Sequence, residues 1–168
     1  PAFSPALSNA APVLPARLAG VDTWLFDMDN TLYPASANLF QQIDARMQAY
    51  VARLLGLPGD EARRVQKRMF REHGTTLRGL MEECHVNANG FLAEVHDVDM
   101  SVLDRDLRLR EALMRLPGRR IVFTNADQPY AERVLEALGI AGCFDAIHDI
   151  HAMDYRPKPD PSCYRRLL

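Results

Sequence analysis

Two aspartates that lie one residue apart, Asp27 and Asp29, follow an apolar run and precede Thr31 in the stretch WLFDMDNT. A carboxylate can attack phosphorus and form an acyl phosphate, which divides one difficult hydrolysis into two easier steps. A second carboxyl group nearby can protonate the leaving oxygen and later deprotonate water. The stretch is therefore compatible with phosphoryl transfer. Taken alone it is also compatible with an Asx-rich turn in which Asp29 or Thr31 caps a helix.

Two further polar groups follow apolar segments later in the chain. Thr124 and Asn125 come directly after the run Ile121-Val122-Phe123, and Lys158 lies between two prolines in YRPKPDP. Each has a simpler explanation, as a helix N-cap or as a solvated loop lysine. A hydroxyl and an ammonium group can also hold phosphoryl oxygens as charge redistributes. In a parallel sheet ligands collect beyond the carboxyl ends of the strands, and all three groups follow predicted strands, so their conjunction favours a site.

The apolar pattern predicts an α/β protein. A strand at 22–27 is followed by about eighty residues of helical periodicity, and strand character returns near 121–123 and 144–150. Continuous apolar runs fit a parallel sheet that is covered on both faces. We therefore predict a doubly wound, Rossmann-like core with an inserted all-α cap. The predicted boundaries are a Pro/Ala-rich arm at 1–20, a core at 21–34 and 118–168, and a cap at 35–117.

Several helix starts are also predicted from capping residues. The expected N-caps are Asp60, Thr75 or Thr76, Asn89, Asp104 and Asp160.

Composition excludes several classes of function. The formal net charge is −2, from 20 basic and 22 acidic residues, which disfavours a nucleic-acid partner. No apolar stretch approaches the roughly 20 residues that span a bilayer, so we expect no membrane partner. The three cysteines have unrelated spacings that do not indicate a disulfide framework or a zinc site, and we expect a reducing, cytoplasmic location.

Crowded carboxylates such as Asp27 and Asp29 usually recruit a hard cation, and Mg²⁺ is the expected cofactor.

The motifs DMDNT, IVFTNAD and YRPKPDP resemble the first three signature motifs of the haloacid dehalogenase-like (HAD) phosphatase superfamily, and the resemblance covers residues 21–168. The helical insertion resembles the cap of the alpha-capped branch of that superfamily. Within that branch of the superfamily, the pyrimidine 5'-nucleotidase group has sequences similar to FDMDNTLYP, HGTTLRGLMEE and FLAEVHDVD. The resemblance implies a small-molecule phosphate ester as substrate, in the narrower case a pyrimidine nucleoside 5'-monophosphate.

The resemblance also implies a role for each site residue. Asp27 would be the nucleophile that becomes aspartyl phosphate. Asp29 would be the general acid and base, and it would also lend its backbone carbonyl to Mg²⁺. Thr124 and Asn125 would bind the phosphoryl group, and Lys158 would neutralise charge on the nucleophile and the phosphate. Asp27 and Asp29 are thus the expected metal ligands within this sequence.

One feature departs from the superfamily pattern. A fourth, acidic motif should follow the lysine on a further strand, yet only ten residues follow Lys158, and Asp160 has the position of a helix cap. We therefore expect the C-terminal part of the core, with a third acidic metal ligand, beyond Leu168. That strand would lie beside the nucleophile strand, which otherwise forms an open apolar edge.

Two alternatives to the nucleotidase hypothesis stay open on the sequence. One is a phosphatase for a small sugar phosphate or phosphoglycolate, because the chemistry is shared and only the cap would differ. The other is a non-catalytic binding protein that keeps the fold without a complete metal site. Thr75, Thr76 and Arg78 in the cap are candidate specificity residues.

Overall fold

The computed structural model describes residue 15 and residues 18–167. A three-stranded parallel sheet lies at its centre, with the strands in the order β1-β2-β3. The strands are β1 (Thr23–Phe26), β2 (Arg119–Phe123) and β3 (Ala146–His148). The predicted α/β class with a parallel, Rossmann-like sheet is confirmed. The predicted arm at 1–20 lies almost entirely outside the described residues.

Within the described residues, seven helices accompany the sheet. Between β1 and β2 the chain forms α1 (Leu39–Leu55), α2 (Gly59–His73), α3 (Thr76–Cys84), α4 (Ala88–Val95) and α5 (Leu107–Arg115). We call this segment, 39–115, the helical insertion. Helix α6 (Gln128–Ala137) follows β2, and α7 (Pro161–Arg165) follows β3. Short 3-10 turns occur at Ala35–Ala37, Met100–Val102 and Ala141–Cys143.

Three helix starts differ from the sequence-based predictions at Asp60, Asn89 and Asp104. Asn87 caps α4 by accepting a hydrogen bond from the N–H of Gly90 at 3.0 Å, and Asp106 caps α5 in the same way. Pro58 precedes α2, so Asp60 lies in its first turn, where its charge complements the helix dipole. In each case another polar or proline residue within two positions competes for the cap, which the local pattern does not resolve.

The predictions for the other two caps are confirmed. The Thr75 hydroxyl accepts a hydrogen bond from the N–H of Arg78 at 3.1 Å, and the Asp160 carboxylate accepts one from the N–H of Ser162 at 2.8 Å. Proline at the first position of α7 fits, because its missing N–H would have had no partner there.

Close approach of β1 and β2 sets the strand ends side by side. Gly118 has φ +79°, and a Cβ atom there would lie 2.1 Å from the carbonyl oxygen of Asp22. Only glycine therefore allows Arg119 to donate its N–H to that oxygen at 2.8 Å. From this start the pairing runs to Phe26 opposite Val122, so the carboxyl ends of the two strands lie side by side.

Strand β1 forms one edge of the described sheet. Leu25 on this strand is 44% exposed, whereas Val122 on the central strand β2 is fully buried. The exposed edge agrees with the expectation of a further strand beside β1, which stays a prediction. Among the described residues, no helix has the length and apolar character needed to cross a bilayer.

Candidate active site

A tight turn after β1 sets the positions of the two aspartates. Asn30 has φ 58°, a left-handed conformation that asparagine tolerates, and Thr31 donates its N–H to the carbonyl of Met28 at 3.1 Å. Met28 between the aspartates is fully buried and anchors the turn in the core. As a result Asp27 lies exposed at the strand end, while Asp29 is partly buried.

Both oxygens of the Asp27 carboxylate accept hydrogen bonds. Lys158 Nζ donates to Oδ1 at 2.6 Å, and the Thr31 hydroxyl donates to Oδ2 at 2.7 Å. Partial burial raises the pKa of Asp27, but the hydrogen bonds from Lys158 and Thr31 outweigh it, so the pKa lies below its ordinary value. Asp27 is therefore ionised at neutral pH, as a nucleophile must be.

Lys158 is held in place through its backbone as well as its side chain. Its N–H donates to Asn125 Oδ1 at 2.8 Å, and its Nζ also donates to the carbonyl of Phe123. The Nζ lies 5.0 Å from the centre of the Phe123 ring. Asn125 thus connects the end of β2 with the loop that contains Lys158. Asn125 and Lys158 are both among the residues predicted to contact the phosphoryl group.

Thr124 follows directly on β2 and is 1% exposed. Its hydroxyl accepts a hydrogen bond from the N–H of Ala126 at 3.0 Å, which is a local turn contact, and Asp127, not Thr124, is the N-cap of α6. Thr124 nevertheless lines the same cavity as Asp27 and Asn125. Since its hydroxyl donates to no partner among the described residues, it can donate to a group bound in that cavity.

Asp29 has an environment unlike that of Asp27. Its Oδ1 accepts hydrogen bonds from the hydroxyls of Tyr33 at 2.7 Å and Tyr130 at 2.9 Å. Burial raises the pKa of Asp29, and the two hydroxyls offset this only in part, so the pKa lies above its ordinary value. The two aspartates therefore differ in the direction that an acid and a nucleophile require.

Sequence reasoning missed both tyrosines. Tyr33 lies four residues after Asp29, so the spacing offered a local signal. Tyr130 lies in the first turn of α6, and only the fold brings it to Asp29. Burial raises the pKa of both hydroxyls well above their ordinary value, so they remain donors.

His96 supports Tyr130 from the helical insertion. The imidazole stacks on the Tyr130 ring with 4.3 Å between centroids, and its Nδ1 lies 2.6 Å from Asp127 Oδ1. His96 is itself buried, with 7% of its surface exposed. Burial raises the pKa of Asp127, but the hydrogen bond with His96 lowers it by more, so the net pKa lies below the ordinary value.

A cavity of about 350 Å³ joins the strand ends to the helical insertion. Asp27, Asp29, Thr124 and Asn125 line it from the sheet side. The walls from the insertion are mainly apolar, and they include Phe40, Ile43, Met47, Phe70, Leu77 and Phe91. Of the candidate specificity residues, Thr75 and Thr76 lie on the cavity, whereas the side chain of Arg78 is paired with Glu82 at 2.7 Å.

The oxygen donors at the end of β1 fit a hard cation. The Asp27 carboxylate is half exposed, with 51% of the side chain accessible, and a carboxylate has about four lone-pair positions, of which Lys158 and Thr31 take two. Within the described residues, the Asp29 main-chain carbonyl accepts no hydrogen bond. Carboxylate and carbonyl oxygens are the ligands that Mg²⁺ takes from proteins, usually with several waters retained. The Asp29 carboxylate instead faces the two tyrosines.

Comparison with known proteins agrees with this geometry. Phosphate metabolism protein 8 from Saccharomyces cerevisiae is 28% identical over 169 residues, an alignment that covers 91% of this chain and 52% of that protein. The chain thus spans about half the length of this curated relative. The family model of the haloacid dehalogenase-like hydrolases matches residues 21–168, which include all three strands and the seven described helices. The chain belongs to the haloacid dehalogenase-like hydrolase family.

Proposed function

We propose that this protein is a Mg²⁺-dependent phosphomonoesterase that acts through an aspartyl-phosphate intermediate on a nucleoside 5'-monophosphate, preferably a pyrimidine nucleotide. The observation that carries the proposal is the pair of aspartates with opposite environments. Asp27 is ionised and hydrogen-bonded to Lys158, and Asp29 is partly buried against two hydroxyls with a raised pKa.

In the first half-reaction an oxygen of Asp27 attacks phosphorus and forms the acyl phosphate. The bond from phosphorus to the ester oxygen breaks, and Asp29 gives its proton to that oxygen, so the alcohol leaves neutral. Lys158 stabilises the charge that shifts from the carboxylate to the phosphoryl group. Thr124 and Asn125 hold the phosphoryl oxygens in line with the nucleophile.

In the second half-reaction Asp29, now ionised, takes a proton from water. The resulting hydroxide attacks phosphorus, and the bond to Asp27 breaks, which releases phosphate and restores both aspartates. Bound Mg²⁺, held by the Asp27 carboxylate and the Asp29 carbonyl, would neutralise charge on the phosphoryl oxygens. A third acidic ligand, expected beyond Leu168, would complete its coordination.

The nucleotide assignment rests on two further observations. The motifs FDMDNTLYP, HGTTLRGLMEE and FLAEVHDVD resemble the pyrimidine 5'-nucleotidase group. The cavity between the strand ends and the insertion has apolar and aromatic walls, which suit a planar base. Cytoplasmic location remains a prediction of the sequence.

Phosphate release by the full-length gene product tests the proposal. The substrates are UMP, CMP, AMP and ribose 5-phosphate, each with Mg²⁺ and with chelator. We expect metal-dependent release that is fastest on UMP and CMP, and a loss of about a thousandfold or more in Asp27→Asn, because the nucleophile is gone. The matched control is Asp22→Asn, on an exposed aspartate at the start of the same strand.

Each alternative has its own outcome. Faster release from ribose 5-phosphate than from any nucleotide would retain the chemistry and replace the substrate class. Full activity of Asp27→Asn would contradict the nucleophile. The absence of release from all four substrates would favour a non-catalytic binding protein.

A further inference from the structure

His96, in the helical insertion, is fixed to the core by three contacts with one helix. Its Nδ1 lies 2.6 Å from Asp127 Oδ1, and its ring stacks on the Tyr130 ring with 4.3 Å between centroids. Arg133 donates a hydrogen bond to the His96 carbonyl at 2.8 Å. Asp127 is the N-cap of α6, and the other two residues lie within that helix. The imidazole therefore has a defined orientation relative to the core.

One nitrogen of this imidazole is left open. Asp127 is ionised and only accepts hydrogen bonds, so the proton between the two residues belongs to His96 Nδ1. Among the residues that the structure describes, His96 Nε2 makes no hydrogen bond. It is also not one of the solvent-inaccessible atoms without a partner, as His148 Nε2 is. His96 Nε2 is therefore unpaired and can be reached by a ligand, although only 7% of the residue is exposed.

The open nitrogen belongs to a residue of the active-site cavity. His96 lines that cavity together with Asp29 and Thr124. Tyr130, on which the His96 ring stacks, donates its hydroxyl to Asp29 Oδ1 at 2.9 Å. In the proposed reaction Asp29 protonates the ester oxygen, so the rest of the alcohol lies on this side of the phosphoryl group. A polar atom in a mainly apolar wall orients a bound ligand, and the phosphoryl transfer itself does not use His96 Nε2.

A hydroxyl group is the partner that suits this nitrogen. With the proton on Nδ1, Nε2 of the neutral ring only accepts a hydrogen bond, and Nε2 of the imidazolium only donates one. A hydroxyl donates as well as accepts, so it pairs with both forms of the ring. A carbonyl oxygen pairs with the imidazolium alone. Sugars carry several hydroxyls within a few bonds of the phosphate ester oxygen.

We propose that His96 is a specificity residue for the leaving group, and that its Nε2 forms a hydrogen bond with a ring hydroxyl of the sugar whose phosphate is removed. Asp127 is the positioning residue that holds the imidazole for this contact. The inference rests on the proposed function, in which that sugar is the ribose of a nucleotide. It requires a hydroxylated alcohol and no base, so a sugar phosphate meets it equally.

The test compares His96→Asn with His85→Asn in the full-length gene product. In His96→Asn the amide N–H can replace Nδ1 as the donor to Asp127, whereas no atom replaces Nε2. His85 is an exposed histidine of the insertion outside the cavity wall, and asparagine tolerates its left-handed backbone with φ 55°. The substrates are UMP and 2',3'-dideoxyuridine 5'-monophosphate, which differ only in the two ring hydroxyls. Melting temperatures establish that each variant folds.

We expect the wild type to prefer UMP over the dideoxy analogue roughly 10- to 100-fold in kcat/KM, the usual effect of one hydrogen bond to a buried group. His96→Asn should lose that factor on UMP and add no further loss on the analogue, because the same interaction is already absent. His96→Gln, whose amide reaches the position of Nε2, should keep part of the preference. His85→Asn should match the wild type on both substrates.

Two kinetic results overturn the inference. One is an equal loss on both substrates in His96→Asn, which is the result expected if His96 only supported Tyr130. The other is a wild type that does not distinguish UMP from its dideoxy analogue, a result that needs no variant to fold.

Calorimetric titration into Asp27→Asn reports binding without turnover. UMP should bind at least roughly tenfold more tightly than the dideoxy analogue, and the difference should vanish when His96→Asn is added. Equal binding of the two nucleotides to Asp27→Asn, or no binding of UMP, overturns the inference. Hydroxyl-dependent binding without hydrolysis of any substrate would contradict the proposed function and leave the assignment of His96 standing. Rapid hydrolysis without a preference that depends on His96 would do the reverse.

Discussion

The strand ends and the helical insertion satisfy their polar groups differently. At the strand ends Lys158 donates hydrogen bonds to both Asp27 and Asn125, so the geometry of the three residues is fixed before a substrate arrives. On the cavity face of the insertion the walls are mainly apolar, and His96 keeps a ring nitrogen without a described partner. Preorganised charge suits a reaction that is common to all substrates, whereas mainly apolar walls suit discrimination between one leaving group and another.

The largest effect in this comparison is expected for Lys158→Met. The substitution removes the donor to Asp27 Oδ1 and to the Phe123 carbonyl, so we expect kcat/KM to fall roughly 10²- to 10³-fold. The loss should be the same for UMP and for ribose 5-phosphate, because Lys158 contacts the reacting end only. Steady-state kinetics measure it, with Arg156→Met on the same loop as the control. A loss confined to nucleotides would contradict the assignment of Lys158 to the reacting end alone.

A smaller effect is expected for Tyr130→Phe. The variant keeps the ring that stacks on His96 and removes one of the two hydroxyls that hold Asp29. We expect kcat to fall roughly 3- to 30-fold with KM unchanged, because Asp29 acts on the leaving oxygen and Tyr33 still positions it. Tyr164→Phe, an exposed tyrosine on α7, is the control. A raised KM with unchanged kcat would show that Tyr130 belongs to the binding region instead.

The smallest effect is expected at His73, on the insertion but not on the cavity wall. Its Nε2 lies 2.7 Å from Glu83 and its Nδ1 lies 2.9 Å from Glu82. The hydrogen bond to Glu83, followed by that to Glu82, raises the pKa of His73 above its ordinary value. The protonated form is thus favoured by folding, and this stabilisation is present below the unfolded pKa of about 6.5 and is lost as pH rises through the folded pKa.

NMR titration of the His73 imidazole measures this shift. Glu83→Gln should lower the pKa of His73, and Glu111→Gln on α5 should leave it unchanged. Neither variant should alter kcat or KM, because the ion pairs of His73 lie away from the cavity. A change in turnover that follows the His73 titration would extend the functional region across the insertion and contradict the comparison.

Local signals were enough for much of the fold. The apolar runs predicted the strands, and the helical periodicity after the first strand predicted the helices of the insertion, the first of which is α1 (Leu39–Leu55). Capping predictions succeeded at Thr75 and Asp160, where one polar residue precedes the helix. They were displaced by two residues where Asn87 and Asp106 competed with the predicted caps, because a cap depends on which N–H groups the helix leaves free.

The sequence by itself determined the candidate reacting groups, because residue type fixes what a side chain can do and the spacing of Asp27, Asp29, Thr124 and Lys158 placed each after an apolar strand. Only the tertiary structure decided how they differ. The pKa of each aspartate depends on burial and on donors from distant segments, Lys158 for one and Tyr130 for the other. The same holds for the cavity, since the contact of His96 with Asp127 joins the insertion to the core across 31 residues and no local pattern encodes which ring nitrogen is left without a partner.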